Sequence, residues 1–282
     1  MMRAYYELIK PRMIYGNLFT TVASFLFAVR WHIELPLFLA TLVGLGLVVA
    51  SACVCNNILD RDIDAQMERT KKRALVQGEV AVHSALIFSV LLGVVGFGLL
   101  YAFVNIVSVV AAGVGFIFYV GLYTYIKRYS YLGALVGSVS GAMPIVVGYT
   151  AATNRFDMVA ALLFLVLVCW QMAHFYAISL YRAHEYTTAK VPVFAVRHGA
   201  RKTRQHIIGY IMGTMVALVA LWVFSELGSI FILAMLGLSG WWLYMAITHK
   251  PLDAQWGRVL FKFSLKVLMG FSLLLAFSPF LP

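Results

Sequence analysis

The sequence has little charge, and this shortage excludes most classes of protein. Charged residues make up 12% of its 282 residues, against about 25% in soluble domains. Hydrophobic residues make up 62%, against roughly 45–50% in soluble domains. So few charges cannot cover a surface that faces water, and lipid is the expected solvent for most of this chain.

Cysteine is also scarce, which excludes a disulfide scaffold. Cys53, Cys55 and Cys169 lie inside or beside apolar runs and do not form a framework. Internal repeats, low-complexity segments and coiled-coil heptads are missing as well. The N-terminal stretch carries acids and bases without a cleavage site, so we expect neither a signal peptide nor a transit peptide. We expect a bacterial protein with one polytopic membrane domain over residues 1–282.

Apolar runs long enough to cross a bilayer, which takes about 20 residues of helix, recur along the chain. We count nine, at about 13–30, 35–56, 81–104, 106–126, 130–152, 158–181, 207–225, 227–248 and 259–281. Short links join spans three and four, five and six, and seven and eight into helical hairpins. The predicted fold class is an all-α integral membrane protein of about nine transmembrane helices.

The basic residues predict the orientation. If the N-terminus is cytoplasmic, 20 of the 22 Lys and Arg residues lie on that side, and only Arg30 and Arg155 lie outside. Basic loops are retained in the cytoplasm, so nine spans place the C-terminus outside. The net charge of +11 therefore reports topology rather than nucleic-acid binding. The long polar loops 57–80 and 182–206 predict an active site on the cytoplasmic side.

An acidic segment, CVCNNILDRDIDAQMERTKKRAL (53–75), follows the second span. At about 100° per helical residue, Asn57, Asp60 and Asp64 share an arc of about 60°, whereas Asp62 points to the far side. Carboxylates one turn apart suit Mg²⁺, which completes its shell with water and substrate phosphate. We expect these three residues to be catalytic, with Mg²⁺ on Asp60 and Asp64 and Asn57 as a further candidate ligand.

Bases near these acids predict an anion site. Arg69 and Arg73 follow the acids within two turns, and Lys127 and Arg128 end the fourth span. Together they would bind a diphosphate, whose apolar tail would extend among the helices. The alternative is that these charges are a solvated helix flank or only set the topology.

The segment NNILDRDIDAQMERT resembles the N-x-x-D-x-x-x-D signature of the UbiA superfamily of intramembrane prenyltransferases. The similarity extends through PLFLATLVGLGLVVASACVCNN and YVGLYTYIKRYSYLGALVGSVSGAMPIVVGY, and within the superfamily it favours the branch that farnesylates haem. The resemblance implies a central cavity, Mg²⁺, farnesyl diphosphate and haem B as substrates, and haem O as product. It also implies the bacterial inner membrane, with haem A synthase or terminal-oxidase assembly proteins as partners.

A second polar face follows the sixth span. His174, Tyr181 and Glu185 share one helix face, and ionisable groups in a span usually serve function. The resemblance implies that they bind the haem acceptor, with His174 as a candidate iron ligand; an interhelical hydrogen bond is the alternative for His174. Ala173, Glu185 and Ile145 depart from the family pattern, which weakens the prediction of the acceptor more than that of prenyl transfer.

Two other functions remain open. The same machinery could prenylate an aromatic acid or quinone precursor, although the haem hypothesis is favoured by His174 and by the lack of an acidic pair near Glu185. A cation-coupled transporter could use Asp60 and Asp64. Transporters usually carry repeats and helices broken at mid-membrane, and this sequence has neither signal.

Overall fold

The computed structural model describes residues 2–248 and 252–282. Within these ranges, nine helices are long and apolar enough to cross a bilayer, which confirms the predicted fold class. A short helix α1 (Met2–Leu8) precedes them. The spans are α2 (Pro11–Val29), α3 (Leu35–Leu59), α5 (Val82–Phe103), α6 to α7 (Ile106–Tyr129), α8 (Gly133–Thr153), α9 (Met158–Tyr181), α11 (Phe194–Phe224), α12 (Ser229–Thr248) and α13 (Ala254–Phe277).

Two short helices lie in the long polar loops. Helix α4 (Arg61–Gln66) follows α3 after a break at Asp60, and α10 (Ala183–Thr188) follows α9 after a break at Arg182. Each begins where a transmembrane helix stops, so each redirects the chain at the same end of the bundle. The two loops are therefore partly structured rather than extended.

Two spans start earlier than the hydropathy predicts. Helix α11 begins at Phe194 rather than near 207, and Gly199 interrupts it with φ 75° and ψ 171°, a conformation that favours glycine. Helix α13 begins at Ala254 rather than near 259, because the Asp253 carboxylate caps it by accepting from the Trp256 amide at 2.8 Å. Polar first turns extend both helices beyond their apolar runs.

The fourth span changes its winding part-way. Helix α6 (Ile106–Ile117) passes into a π turn (Phe118–Tyr123) and then into α7 (Thr124–Tyr129). The π turn brings Tyr119 and Tyr123 into a stack, with ring centroids 5.6 Å apart. Single π turns inside helices are frequent at functional sites.

Small residues allow the helices to pack closely. Helix α3 packs along α5, α9 along α11, and α2 along α8. Between α2 and α8, the Thr21 hydroxyl donates to the Pro144 carbonyl at 3.0 Å. Gly148 lies against the same helix, where a Cβ atom would collide with the Thr21 carbonyl and the Ser24 hydroxyl. Interfaces of this kind depend on van der Waals contact because lipid gives no hydrophobic drive between helices.

We expect Gly148→Ala to lower the stability of the bundle by about 1–3 kcal/mol, the usual cost of overpacking. The measurement is thermal unfolding in detergent. Gly98→Ala on α5 is the matched control, because a Cβ there meets nothing within 4 Å. Equal melting temperatures for the two variants would contradict the packing described for α2 and α8.

Candidate active site

A cavity of about 1010 Å³ lies between the helices and opens toward the end where α3 and α9 stop. Its polar part is lined by Asp60, Asp64 and several basic side chains. Its deeper wall is apolar and is formed by side chains from α3, α6, α8, α9 and α13: Leu45, Val48, Val49, Ala112, Phe116, Met143, Leu167 and Leu268. The cavity thus combines an anion-binding end with room for an apolar tail.

The two acids predicted at the end of the second span both line this cavity. The backbone turns at Asp60 (φ −92°, ψ 4°), yet hydrogen bonds continue from the Asp60 amide to the Asn56 carbonyl (2.9 Å) and from the Asp64 amide to the Asp60 carbonyl (2.8 Å). Asp60 and Asp64 are only 4% and 5% exposed. Charges this buried require partners.

Asn57 does not line the cavity with Asp60 and Asp64, although the three were predicted to share one helix face. Its amide nitrogen donates to the Leu8 carbonyl of α1 at 2.9 Å, and its oxygen accepts from Arg73 at 3.1 Å. Asn57 is not among the cavity-lining residues. Helical projection fails here because it does not include these tertiary contacts. The turn at Asp60 comes after Asn57, and Asp64 beyond it still lines the cavity as predicted. Asn57 anchors α1 and orients Arg73.

Asn56 occupies the position that was predicted for Asn57. It lines the cavity and donates to Asp60 Oδ2 at 2.7 Å and to Thr124 at 3.0 Å. Its oxygen accepts from Lys10 Nζ at 2.6 Å. The adjacent asparagines therefore have different partners, and Asn56 links the acid to α7 and to the start of α2.

Three of the four predicted diphosphate-binding bases line the cavity: Arg69, Arg73 and Lys127. Arg73 forms an ion pair with Asp64, and Lys127 forms one with Asp60. Arg69 lies outside the ion pairs of the described residues. The acids and bases neutralise one another at the end of the bundle, which offsets the cost of burying them.

Arg128 has a different place from the one predicted. It binds Asp62 through its two terminal guanidinium nitrogens, at 2.6 and 2.8 Å, and donates to the Leu59 carbonyl. It does not line the cavity. The hydrogen bonds from Arg128 lower the pKa of the exposed Asp62 carboxyl to about 2. Arg128 thus clamps α7 to the end of α3, and Asp62 points away from the cavity, as predicted.

Lys10 is the base that sequence reasoning missed. It joins α1 to α2 in a left-handed conformation (φ 51°, ψ 66°) and extends into the cavity. None of the ion pairs among the described residues includes Lys10, and burial lowers its pKa to about 8. The signal in the sequence was a Lys-Pro pair at the entry of the first span, on the same side as the acids.

The carboxylates fit a divalent cation that is shared with a phosphate ligand. Asp60 Oδ1 is buried without a hydrogen bond, and Arg128 Nη2 lies 3.8 Å from it. Among the described residues, no three His, Cys, Asp or Glu side chains cluster as a closed metal site. Asp60 and Asp64 match the one or two carboxylates that Mg²⁺ takes when substrate phosphate supplies further oxygens.

His174 lines the cavity from α9. Its Nδ1 lies 2.6 Å from the Ser264 hydroxyl of α13, which donates to the Phe261 carbonyl. Because the Ser264 hydroxyl donates to Phe261, we assign the ring proton to Nδ1, which leaves the lone pair on Nε2. The ring stacks on Trp170 at 4.9 Å. The predicted interhelical hydrogen bond is present, and it leaves the other ring nitrogen free to accept.

Tyr181 and Glu185 do not join His174 at the cavity. Tyr181 stacks on Phe261 of α13 at 6.3 Å, and Glu185 binds Arg182 at 2.9 Å. Helix α9 ends at Tyr181, and Arg182 (φ −112°, ψ 22°) redirects the chain, so the predicted common face is lost before Glu185.

Aromatic side chains that sequence reasoning did not assign line the polar part. Tyr119, Tyr123 and Tyr186 all contact it, and Lys127 Nζ lies 4.8 Å from the Tyr123 ring centroid. Burial raises the pKa of Tyr186 to about 12, which keeps its hydroxyl neutral. The only sequence signal was a run of tyrosines before Lys127.

Comparisons with known proteins agree with this architecture. The model of the UbiA prenyltransferase family matches residues 17–266. A Pectobacterium carotovorum protein named protoheme IX farnesyltransferase is 42% identical, covering 100% of this chain and 97% of its own length. A Serratia proteamaculans protein of the same name is 43% identical, covering 98% and 94%.

Solved structures share the fold at low identity. A structure described as digeranylgeranylglyceryl phosphate synthase superposes with a TM-score of 0.84 at 18% identity, covering 99% of this chain and 98% of its own. A UbiA homologue from Archaeoglobus fulgidus, bound to GPP and Mg²⁺, superposes with a TM-score of 0.72 at 12% identity, covering 96% and 99%.

The depressed pKa of Lys10 predicts a pH dependence of stability. Below about pH 8 Lys10 is protonated in both the folded and unfolded states. Between that value and its ordinary pKa of 10.5 only the unfolded state keeps the proton, so stability rises with pH by up to about 1.4 kcal/mol per unit. We expect Lys10→Met to remove this rise, as measured by unfolding in detergent at pH 7.5 to 10.

Lys72→Met, at an exposed lysine, is the control and should keep the wild-type slope. If stability rises with pH as steeply in Lys10→Met as in the wild-type protein, the buried position of the Lys10 amine would be refuted.

Proposed function

The chain belongs to the UbiA prenyltransferase family, and we propose that it transfers a farnesyl group from farnesyl diphosphate to the vinyl group of protoheme IX. Water then adds to give haem O. Relatives named protoheme IX farnesyltransferase are 42–43% identical to the chain along nearly all of its length, which supports the donor and the acceptor. The structural observation that carries prenyl transfer is a single cavity with Asp60 and Asp64 at one end and an apolar wall behind them.

The polar end would hold the diphosphate. Arg69, Arg73, Lys127 and Lys10 surround Asp60 and Asp64, and their charge would stabilise the negative charge that grows as the C1–O bond breaks. Mg²⁺, which a solved family member contains, would be held by the two carboxylates and would neutralise the leaving diphosphate as a Lewis acid.

The deeper part of the cavity would hold the farnesyl chain and exclude water, as an allylic cation requires. The C1–O bond breaks with both electrons going to the diphosphate. The terminal vinyl carbon of haem then bonds to C1, which leaves the positive charge on the neighbouring vinyl carbon. Water adds to that carbon and then loses a proton, which leaves the hydroxyl group. The stacked Tyr119 and Tyr123, which line the polar part, would present aromatic rings to the developing positive charge.

Two loops would shield this reaction from bulk water. Met67 of the first loop and Val191 of the second lie in one buried apolar cluster, and both line the cavity. Ile63, Tyr186 and Val193 pack against the same cluster. The loops thus meet over the polar end rather than lying apart in solvent.

We further propose that His174 contacts the acceptor, since its Nε2 keeps a lone pair and its ring lines the cavity. Tyr181 and Glu185 do not line the cavity, so they would influence acceptor binding only indirectly, through their contacts outside it. The distribution of basic residues supports a bacterial inner-membrane protein whose polar end faces the cytoplasm.

The acceptor can be tested directly. Membranes that contain the protein are incubated with labelled farnesyl diphosphate and either haem B or 4-hydroxybenzoate, and the products are identified by mass spectrometry. We expect labelled haem O and no prenylated benzoate. The opposite pattern would replace haem by an aromatic acid, and label transport without product would favour a transporter.

Substitution of the buried acids should stop the reaction. We expect Asp60→Asn and Asp64→Asn to lower turnover at least about 100-fold, in the range found when transition-state charge loses its stabilisation. Asp62→Asn is the matched control, because Asp62 points away from the cavity, and its effect should be much smaller. Near-normal turnover of both buried-acid variants, with normal expression, would contradict the assignment.

The adjacent asparagines should differ in their effect on turnover. Asn56→Ala removes the amide that contacts Asp60, Thr124 and Lys10, so we expect turnover to fall together with a loss of about 1–3 kcal/mol in stability. Asn57→Ala leaves the Leu8 carbonyl without its donor, so we expect a similar loss of stability with a smaller fall in turnover. Both are measured with farnesyl transfer and detergent unfolding, and a larger fall in turnover for Asn57→Ala would show that Asn57 is the active-site amide.

A further inference from the structure

An exposed row of cations runs along α13, outside the cavity. Arg258, Lys262 and Lys266 follow one another at intervals of four residues, so they lie on one helix face over roughly 12 Å. All three are exposed. The row is on the opposite side of α13 from Ser264, which contacts His174. The row of cations therefore faces outward, away from the other helices of the bundle.

The same face continues as a lipid-facing surface. Beyond Lys266 it carries Met269, Leu273 and Phe277, which are 55%, 47% and 45% exposed. Large apolar side chains at such exposure are expected where a span meets hydrocarbon. Arg258 thus lies at the entry of the span, at the end of the bundle where α9 stops. Lys262 and Lys266 follow one and two turns further along, and their long side chains can extend back along the helix toward the headgroup layer.

No protein group neutralises this row. Within residues 2–248 and 252–282, none of the ion pairs includes Arg258, Lys262 or Lys266. The nearest acid along the chain, Asp253, is used as the helix cap. Like charges four residues apart repel one another on a helix, so a bound anion would relieve this repulsion.

Aromatic rings hold two of these cations against the helix. The Arg258 guanidinium carbon lies 5.6 Å from the centroid of the Tyr181 ring of α9, and Lys266 Nζ lies 5.9 Å from the Phe263 ring centroid. Aromatic side chains beside cations are typical of the membrane interface. This arrangement limits the freedom of the cations before any ligand binds.

We propose that Arg258, Lys262 and Lys266 form a binding site for the headgroup of an anionic phospholipid. The phosphates of such a lipid match the row in charge, and its acyl chains would lie along the apolar continuation through Met269, Leu273 and Phe277. The proposal does not depend on the chemistry of the cavity, since none of the three cations lines it.

Native mass spectrometry of the full chain in detergent, titrated with phosphatidylglycerol or phosphatidylcholine, tests this site. We expect phosphatidylglycerol to bind more tightly, and the triple variant Arg258→Gln, Lys262→Gln, Lys266→Gln to lose that preference. Each cation near a membrane surface contributes about fivefold, so the triple variant should weaken phosphatidylglycerol binding by up to about 100-fold.

A triple variant with the same change in charge is the control. Arg197, Arg201 and Lys202 are also exposed, and their replacement by Gln should leave the lipid preference unchanged. Equal loss in both triple variants would overturn the proposal in favour of a general charge effect. The charge-retaining variant Arg258→Lys, Lys262→Arg, Lys266→Arg should keep binding, which separates a lost site from a damaged fold.

Inorganic phosphate separates a lipid site from a free-anion site. We expect millimolar phosphate to leave phosphatidylglycerol binding within about twofold, because phosphate lacks the acyl chains that lie along α13. Displacement of the lipid by phosphate, or equal affinity for the two lipids in the wild-type protein, would overturn the proposal.

Discussion

The burial of two carboxylates at the end of an apolar bundle is the constraint on which the rest of the structure depends. Asp60 and Asp64 are almost inaccessible to solvent, and an ionised group in such a place is tolerated only with a close opposite charge. Lys127 and Arg73 supply that charge. Because these partners come from α7 and from the loop after α4, the acids fix how three separate segments meet.

A second layer holds these partners in place. Asn57 orients Arg73 and ties it to α1, while Arg128 clamps α7 to the end of α3 through the Leu59 carbonyl and to α4 through Asp62. Neither Asn57 nor Arg128 lines the cavity. The acidic motif therefore contains two kinds of residue. Asp60 and Asp64 line the cavity, whereas Asn57 and Asp62 hold the surrounding segments in place, and the sequence alone does not distinguish the two kinds.

The features that could be predicted from the sequence are those with a local physical signal. The spans could be predicted from hydropathy because bilayer thickness sets a length that is visible in the chain, and Asp60 and Asp64 stand out because acids near a span are costly. Glu185 was misplaced because helical projection assumes that a helix continues, whereas α9 ends at Tyr181 and the chain turns at Arg182. Asn57 and Tyr181 lie within their helices, and their side chains contact neighbouring segments instead of the cavity. Lys10 was missed because only a tertiary contact with Asn56 reveals its burial.

The turns at Asp60 and Arg182 also explain how the two loops come to lie over the polar end of the cavity. A helix that continued straight past Asp60 or Arg182 would carry the adjoining loop away from the bundle. The turns bring Met67 and Val191 together in one apolar cluster over the acids. These interruptions thus help to cover the charged end of the cavity, where an allylic cation must be shielded from water. Helix ends supply the two acids, whereas helix faces supply His174 and the apolar wall.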